Sequence, residues 1–182
     1  MKILKVLFWI IVVLVVAVAG FLWYLGFFGA VQVTEAKNGP YVVVYEEFTG
    51  PYSQTGPIFD KLGKALKNDA IKSTKGLGIY YDNPAVVAQE KLRSTIGIAI
   101  ETKDLQTLKK LKGKYKIKFV KEGNYITAEF PLKNMISYII GPGKVYPEMM
   151  KHMQAKGYKP VPGIEVYDMT GGKIIYLMEI VK

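Results

Sequence analysis

The succession strand, helix, strand, strand can be read twice along this chain, and that doubling limits its fold more than any other feature. On the first pass, residues 41–48 read as a strand, Gly50-Pro51-Tyr52 turns the chain, and Thr55-Gly56-Pro57 starts a helix. Pro57 falls near the first helical position, where its missing N–H costs nothing. Ile58, Leu62, Ala65 and Leu66 then recur at helical spacing, which requires one buried stripe. Two strands follow within residues 75–100. Gly76 and Gly78 open the run Ile79-Tyr80-Tyr81, Asp82-Asn83-Pro84 ends it, and Gln89-Glu90-Lys91 leads to a second strand. That second strand puts Ile96, Ile98 and Ile100 on one face and the small residues Thr95, Gly97 and Ala99 on the other.

On the second pass, residues 125–130 form the strand and Gly141-Pro142-Gly143 the turn, and residues 145–156 form the helix, with Tyr146, Met149, Met150 and Met153 on one stripe. Residues 163–168 and 173–180 are strands joined by a Gly171-Gly172 hairpin. Between the two passes, residues 104–111 read as a short amphipathic helix carrying Leu105, Leu108 and Leu111. Residues 114–121 read as an edge strand whose Lys116 and Lys118 discourage pairing with other chains. Tyr41 and Tyr125 lie 84 residues apart, Pro57 and Pro147 90, and Asp82 and Asp168 86. One such unit alone leaves a sheet edge and a face uncovered. The expected fold is therefore α+β, with two strand-helix-strand-strand repeats in one antiparallel sheet and the helices on one face.

A single transmembrane helix is expected to precede this domain. Residues 6–31 carry no charge and, as a helix, would extend about 39 Å at about 1.5 Å per residue, against a bilayer core of about 30 Å. Trp9, Trp23 and Tyr24 suit interfacial positions. Ala17-Val18-Ala19 resembles a signal-peptidase site, but cleavage there would leave Gly20-Phe21-Leu22-Trp23-Tyr24-Leu25 as an exposed apolar terminus, so an uncleaved anchor is expected. The chain then divides into a basic flank (1–5), the anchor (6–31), a linker (32–39) and the domain (40–182). Lys2 and Lys5 precede the apolar run, and Glu35, Lys37, Glu46 and Glu47 after it carry no positive excess. The expected orientation is single-pass with the N-terminus cytoplasmic and the domain outside.

Several kinds of chemistry are excluded or disfavoured. The chain has no cysteine, which removes disulfides, thiolate metal sites and cysteine nucleophiles. Its net charge of +10 comes mostly from lysine and is unaccompanied by a helix-turn-helix, zinc-finger or aromatic RNA-binding signature, so no nucleic-acid partner is expected. His152 is the only histidine and reads as a helix-surface residue rather than a haem ligand. Asp82 and Asp168 read as turn caps rather than an acid-base pair. The methionine stripe reads as core, and Gly141-Pro142-Gly143 lacks the Lys-Ser/Thr of a phosphate loop. No metal and no cofactor are expected.

Gly78-Ile79-Tyr80-Tyr81-Asp82-Asn83-Pro84, then Glu90-Lys91-Leu92-Arg93, Ile96-Gly97-Ile98 and, at a distance, Gly163-Ile164-Glu165-Val166-Tyr167 together resemble the GyrI-like small-molecule-binding domain. The resemblance runs over roughly residues 38–182. It implies a pseudo-twofold antiparallel sheet with helices on one face and a ligand cleft between the halves. In multidrug-responsive activators of this kind, a glutamate at the position matching Glu165 meets bulky, often cationic aromatic compounds. The usual DNA-binding module of those activators is absent here, and the membrane segment takes its place. Some stand-alone relatives are hydrolases of strained cyclopropane rings, and endoplasmic-reticulum autophagy receptors of the superfamily also carry an N-terminal membrane segment. The receptor role is not carried over.

If Ile164 and Val166 face the helices, Glu165 and Tyr167 face the open side of the sheet, above Thr95 and Gly97, with Tyr81 in the place that answers Tyr167. The expected ligand site is therefore Glu165, Tyr167, Tyr81, Thr95 and Gly97, suited to a flat cationic or polar aromatic molecule. The expected function is membrane-anchored small-molecule binding, with no catalytic residue assigned. The alternatives are a cleft hydrolase using Glu165 and a membrane-tethered interaction scaffold whose protein partner is unknown.

Overall fold

A computed structural model describes residues 2–101 and 105–182. It contains four α-helices, α1 (Lys2–Tyr24), α2 (Gly56–Asn68), α3 (Leu105–Lys112) and α4 (Ser137–Lys156). The strands are β1 (Val33–Asn38), β2 (Tyr41–Thr49), β3 (Ser73–Tyr80), β4 (Arg93–Ile100), β5 (Lys116–Val120), β6 (Gly123–Pro131), β7 (Gly163–Asp168) and β8 (Lys173–Glu179). Residue 104 of the expected helix lies outside the described residues.

The strands make one antiparallel sheet in the order β1-β6-β8-β7-β3-β4-β2-β5. Outward from the central β3–β7 pair, the order is β4, β2, β5 on one side and β8, β6, β1 on the other. The two edge strands are exchanged between the sides. β1 runs into β2 through Gly39-Pro40 yet pairs with β6, and β5 runs into β6 through Lys121-Glu122 yet pairs with β2. Both exchanges require the sheet to curl until the two joints meet. They do meet, because a Cβ on Gly39 would stand 2.8 Å from the Lys121 carbonyl oxygen.

The curl buries the sheet on both faces. On one face, Ile58, Leu62 and Leu66 of α2 and Leu108 and Leu111 of α3 cover Val44, Ile98 and Ile100. On the same face, Val145, Met149 and Met153 of α4 cover Ile126, Ala128, Phe130, Ile174 and Tyr176. The other face closes on itself around Val43, Leu77, Ile79, Val120, Tyr125, Ile164, Val166 and Leu177.

Three sequence expectations are corrected here. Residues 32–39 are not a linker, since β1 occupies most of them and pairs with β6 over six residues. The apolar run does not continue as a helix to Val31. Gly26, at φ +78°, adopts the left-handed conformation that ends α1, with the Phe27 N–H donating to the Leu22 carbonyl and the Gly26 N–H to the Trp23 carbonyl, each at 3.0 Å. Gly141-Pro142-Gly143 is not a turn but part of α4. The absent Cβ of Gly141 lets the helix lie on the sheet, for such an atom would be 2.3 Å from the Tyr176 hydroxyl. Burial of Ser137, Gly141, Val145, Met149 and Met153 at four-residue intervals offsets the hydrogen bonds lost at Pro142 and Pro147.

α1 buries none of its residues and, with a mean hydropathy of 2.9, is long and apolar enough to cross a membrane, a property that signal sequences near an N-terminus share. The chain after it is fastened to the domain. Leu25 is fully buried, and the Lys144 ammonium of α4 donates to the carbonyls of Gly29 (2.6 Å), Gly26 (3.3 Å) and Phe27.

Gly97 of β4 pairs with Tyr45 of the neighbouring strand β2, which lies close against it. A Cβ there would meet Val43 Cγ1 at 2.4 Å and the Val44 carbonyl oxygen at 2.6 Å. Gly97→Ala is expected to lower unfolding stability by about 1–3 kcal/mol through overpacking. Denaturant unfolding measures this, and an unchanged midpoint would contradict the tight curl.

Candidate ligand-binding site

The middle of the helix-covered face is built by β3 and β7. Their register pairs Gly76 with Tyr167, Gly78 with Glu165 and Tyr80 with Gly163. Residues directly opposite share a face, so the carboxylate and the tyrosine stand next to two positions with no side chain. The vacated space is taken by aromatic rings. A Cβ on Gly76 would lie 3.1 Å from Phe59 of α2 and 3.3 Å from Tyr167, and one on Gly78 would lie 2.7 Å from Tyr80.

Glu165 is buried, with 5% of its surface exposed. The Tyr146 hydroxyl donates to Oε1 at 3.0 Å and the Tyr167 hydroxyl to Oε2 at 2.7 Å. The Tyr167 hydroxyl has one proton to donate and directs it to the carboxylate. The 2.7 Å contact between the Tyr80 and Tyr167 hydroxyls therefore has Tyr80 as donor. Rings continue outward, with Phe59 edge-on to Tyr167 at 5.3 Å, Tyr138 tilted against Tyr167 at 5.5 Å, Tyr52 against Tyr80 at 4.8 Å and Tyr146 against Tyr176 at 5.5 Å. The buried hydroxyl of Tyr176, the β8 residue paired with Glu165, has no hydrogen-bond partner among the described residues.

Among the described residues no lysine or arginine forms an ion pair with Glu165, so its charge is met by tyrosine dipoles alone. Burial raises its pKa to about 7 against the lowering effect of the Tyr167 and Tyr146 hydrogen bonds. Burial and the neighbouring carboxylate also push Tyr146 and Tyr167 well above the usual phenol range. A cation against this carboxylate would supply the charge that the tyrosines only partly offset, and the surrounding rings are flat and apolar.

The five residues expected to form one site lie on opposite faces of the sheet. Glu165 and Tyr167 face the helices; Ile164 and Val166 face the self-closed side, together with Leu77 and Ile79. Thr95 and Gly97 share that second face, where Tyr81 reaches Thr95 Oγ1 at 2.8 Å and Lys118 donates to the Tyr81 hydroxyl at 2.8 Å. The expectation rested on the helices covering the more aliphatic side of β7. Both sides are covered, and the aliphatic one is closed by the sheet itself. Tyr52, Phe59, Tyr80, Tyr138 and Tyr146 were not foreseen as neighbours of Glu165. The available signal was the period-two series Gly76, Gly78, Tyr80, which leaves one face of β3 empty for two steps.

The other singled-out residues have structural partners. His152 Nε2 lies 3.0 Å from Glu35 Oε1, joining α4 to β1. Asp168 caps its turn by accepting the Gly171 N–H at 2.8 Å, while Asp82 holds Arg93 by both side-chain and backbone bonds. Met149 and Met153 are core.

The family model for the GyrI-like small molecule binding domain matches residues 32–180. The chain belongs to this family. Human testis-expressed protein 264 is 24% identical over 163 residues, 85% of this chain and 50% of that protein. The chain thus spans about half the length of this curated relative. Among solved structures, the EcmrR C-terminal domain superposes with a TM-score of 0.61 at 12% identity, covering 84% of this chain and 98% of that one. SAV2435 bound to tetraphenylphosphonium superposes with a TM-score of 0.53 at 11% identity, covering 83% and 94%. At these identities the superpositions show a shared fold.

Linkage follows from the raised pKa of Glu165. The folded protein holds this proton up to about pH 7, whereas an unfolded glutamate releases it near 4.5. The contribution of the neutral carboxyl is therefore complete below about pH 4.5, declines as pH rises towards 7 and then levels off. Glu165→Gln removes this slope. Thermal unfolding of the two proteins should show the variant gaining on the parent between about pH 5 and pH 8, by up to about 3 kcal/mol. A pH-independent difference would refute the buried, proton-binding carboxylate.

Proposed function

We propose that this protein is a membrane-anchored receptor for lipophilic, cationic aromatic molecules, which it holds at Glu165. The observation that carries this reading is a buried carboxylate whose partners among the described residues are tyrosine hydroxyls, set in a cluster of aromatic rings. A planar or propeller-shaped cation entering between α2 and α4 would displace the Tyr146 and Tyr167 donors, contact the carboxylate and stack on Phe59, Tyr138 and Tyr167. The tetraphenylphosphonium held by SAV2435 is a molecule of this class. Ligand contact is assigned to Glu165 and Tyr167, and Tyr81, Thr95 and Gly97 are left to the opposite face. The outward strand order from β3 and β7 supports reading the two halves as copies of one unit, with the site on the line between them.

We take α1 as an uncleaved anchor. Buried Leu25 and the bonds from Lys144 to the turn after α1 support this, since they tie the helix directly to the domain. Lys2 and Lys5, ahead of the apolar run, support an N-terminus in the cytoplasm. Protease added to intact spheroplasts should then digest the domain, and a protected domain would reverse the orientation.

Binding of tetraphenylphosphonium to the detergent-solubilised protein tests the site. The cation selects ionised Glu165, so its Kd should weaken as pH falls through about 7, approaching about tenfold per pH unit in the acid range. Calorimetry in buffers of different ionisation enthalpy should detect proton release near neutrality. Neutral triphenylphosphine oxide should show little pH dependence. Glu165→Gln should weaken the cation by about 1–3 kcal/mol and spare the neutral compound. Parental cation binding by Glu165→Gln at every pH would sink the proposal, and recovery of chemically altered ligand would make Glu165 catalytic.

A further inference from the structure

The segment between β6 and the middle of α4 exposes several large apolar side chains in a fixed geometry. Met135 and Ile139 are 79% and 77% exposed, one helical turn apart, and Met169 on the β7–β8 hairpin is 64% exposed. The exposure is built in rather than frayed. The Ile136 N–H donates to Asn134 Oδ1 at 2.9 Å, and the Lys133 N–H donates to Oγ of buried Ser137 at 3.0 Å.

Three observations say what covers this surface. The first is continuity with α1, because contacts to the end of α1 flank the patch in sequence. Pro131 packs on Gly26, the Lys133 ammonium lies 5.3 Å from the Tyr24 ring centre, and Lys144 grips the carbonyls of residues 26, 27 and 29. Ile139 precedes Lys144 by five residues, about 7.5 Å along the helix. The second is charge, for no acidic residue occurs from Phe130 to Pro147, where Lys133 and Lys144 are the charged residues. Apolar tips among lysines suit a headgroup boundary containing anionic lipid. The third is connection to the site. The Tyr138 hydroxyl lies 3.8 Å from the Met169 sulfur, its ring leans on Tyr167, and Tyr167 donates to Glu165.

We propose that the Met135–Ile139 turn and Met169 rest in the bilayer surface beside α1, and that lipophilic ligands reach the Glu165 site from the membrane past Tyr138. This rests on the anchored-receptor reading and adds the route. The route matters for the chemistry, since a lipophilic cation concentrates at an anionic interface, and the entrance then opens where the ligand is most abundant.

The test uses the full chain in vesicles of phosphatidylcholine containing phosphatidylglycerol. The protein has no cysteine, so Met135→Cys, Ile139→Cys and Met169→Cys each accept one environment-sensitive nitrobenzoxadiazole label. Val86→Cys serves as control, because Val86 is equally bare at 81% exposure but follows the opposite end of β3 from the Lys75–Asp168 pair. Labels at 135, 139 and 169 should emit blue-shifted light and be quenched by lipid-borne spin labels, while the label at 86 stays aqueous. Aqueous emission at all three positions overturns the membrane contact. In a second arm, Met135→Glu combined with Ile139→Glu should slow uptake of vesicle-loaded tetraphenylphosphonium several-fold and leave its equilibrium affinity in detergent unchanged. An unchanged uptake rate overturns the route. Glu165→Gln run in parallel separates the two readings. If it binds the cation as the parent does, the receptor reading fails, whereas Glu165-dependent binding with aqueous labels removes this inference alone.

Discussion

The two halves of the sheet interior meet at one place, the antiparallel pairing of β3 with β7, and the site depends on how that pair distributes its side chains. One face of the pair carries Leu77, Ile79, Ile164 and Val166 and closes a conventional aliphatic core. The other carries Gly76 and Gly78 opposite Tyr167 and Glu165. Had β3 presented two ordinary side chains there, Phe59 and Tyr80 could not lie against the strand, and Glu165 would have to point away from the sheet centre. A one-residue slip in register would exchange the two faces and put the carboxylate into the aliphatic core.

A carboxylate held this deep is unfavourable in the ionised form, and the protein relieves that by two phenolic donors rather than by a buried lysine or arginine. The choice has consequences. A buried ion pair would have neutralised the site permanently and closed it to external cations. Tyrosine hydroxyls are weaker partners on rigid, flat bodies that also serve as walls. The same rings fill the space around the carboxylate.

Much of the fold was legible because hydrophobic period and turn chemistry are local. The strands at 41–49, 93–100, 123–131, 163–168 and 173–179 and the helix at 56–68 follow from alternation, prolines at helix starts and glycine turns. What was not legible is what depends on pairing at a distance. Residues 33–38 alternate too weakly to announce a strand, and only their bonds to β6 make them one. The face of β7 was assigned on the rule that helices cover the aliphatic side, which fails when a sheet curls enough to cover its own other side. Glu165 and Tyr167 were named from a resemblance and from their place on one strand face. Tyr52, Phe59, Tyr80, Tyr138 and Tyr146 come from separate elements, and no spacing in the chain relates them. Gly141-Pro142-Gly143 misled for a similar reason, since the need for a small residue there is set by Tyr176 on another strand.

The exchanged edge strands also set a timetable. β1 leaves the ribosome directly after α1, but the residues it pairs with in β6 lie 85 to 95 positions further along. At about 5–20 residues per second, that is a delay of roughly 4–20 seconds during which the strand that follows α1 has no partner. Loop closure over such separations is slow, and Glu35 and Lys37 keep the waiting edge charged. The strand made first thus cannot be placed until β6 has followed it out, and its docking then closes the sheet edge that follows α1.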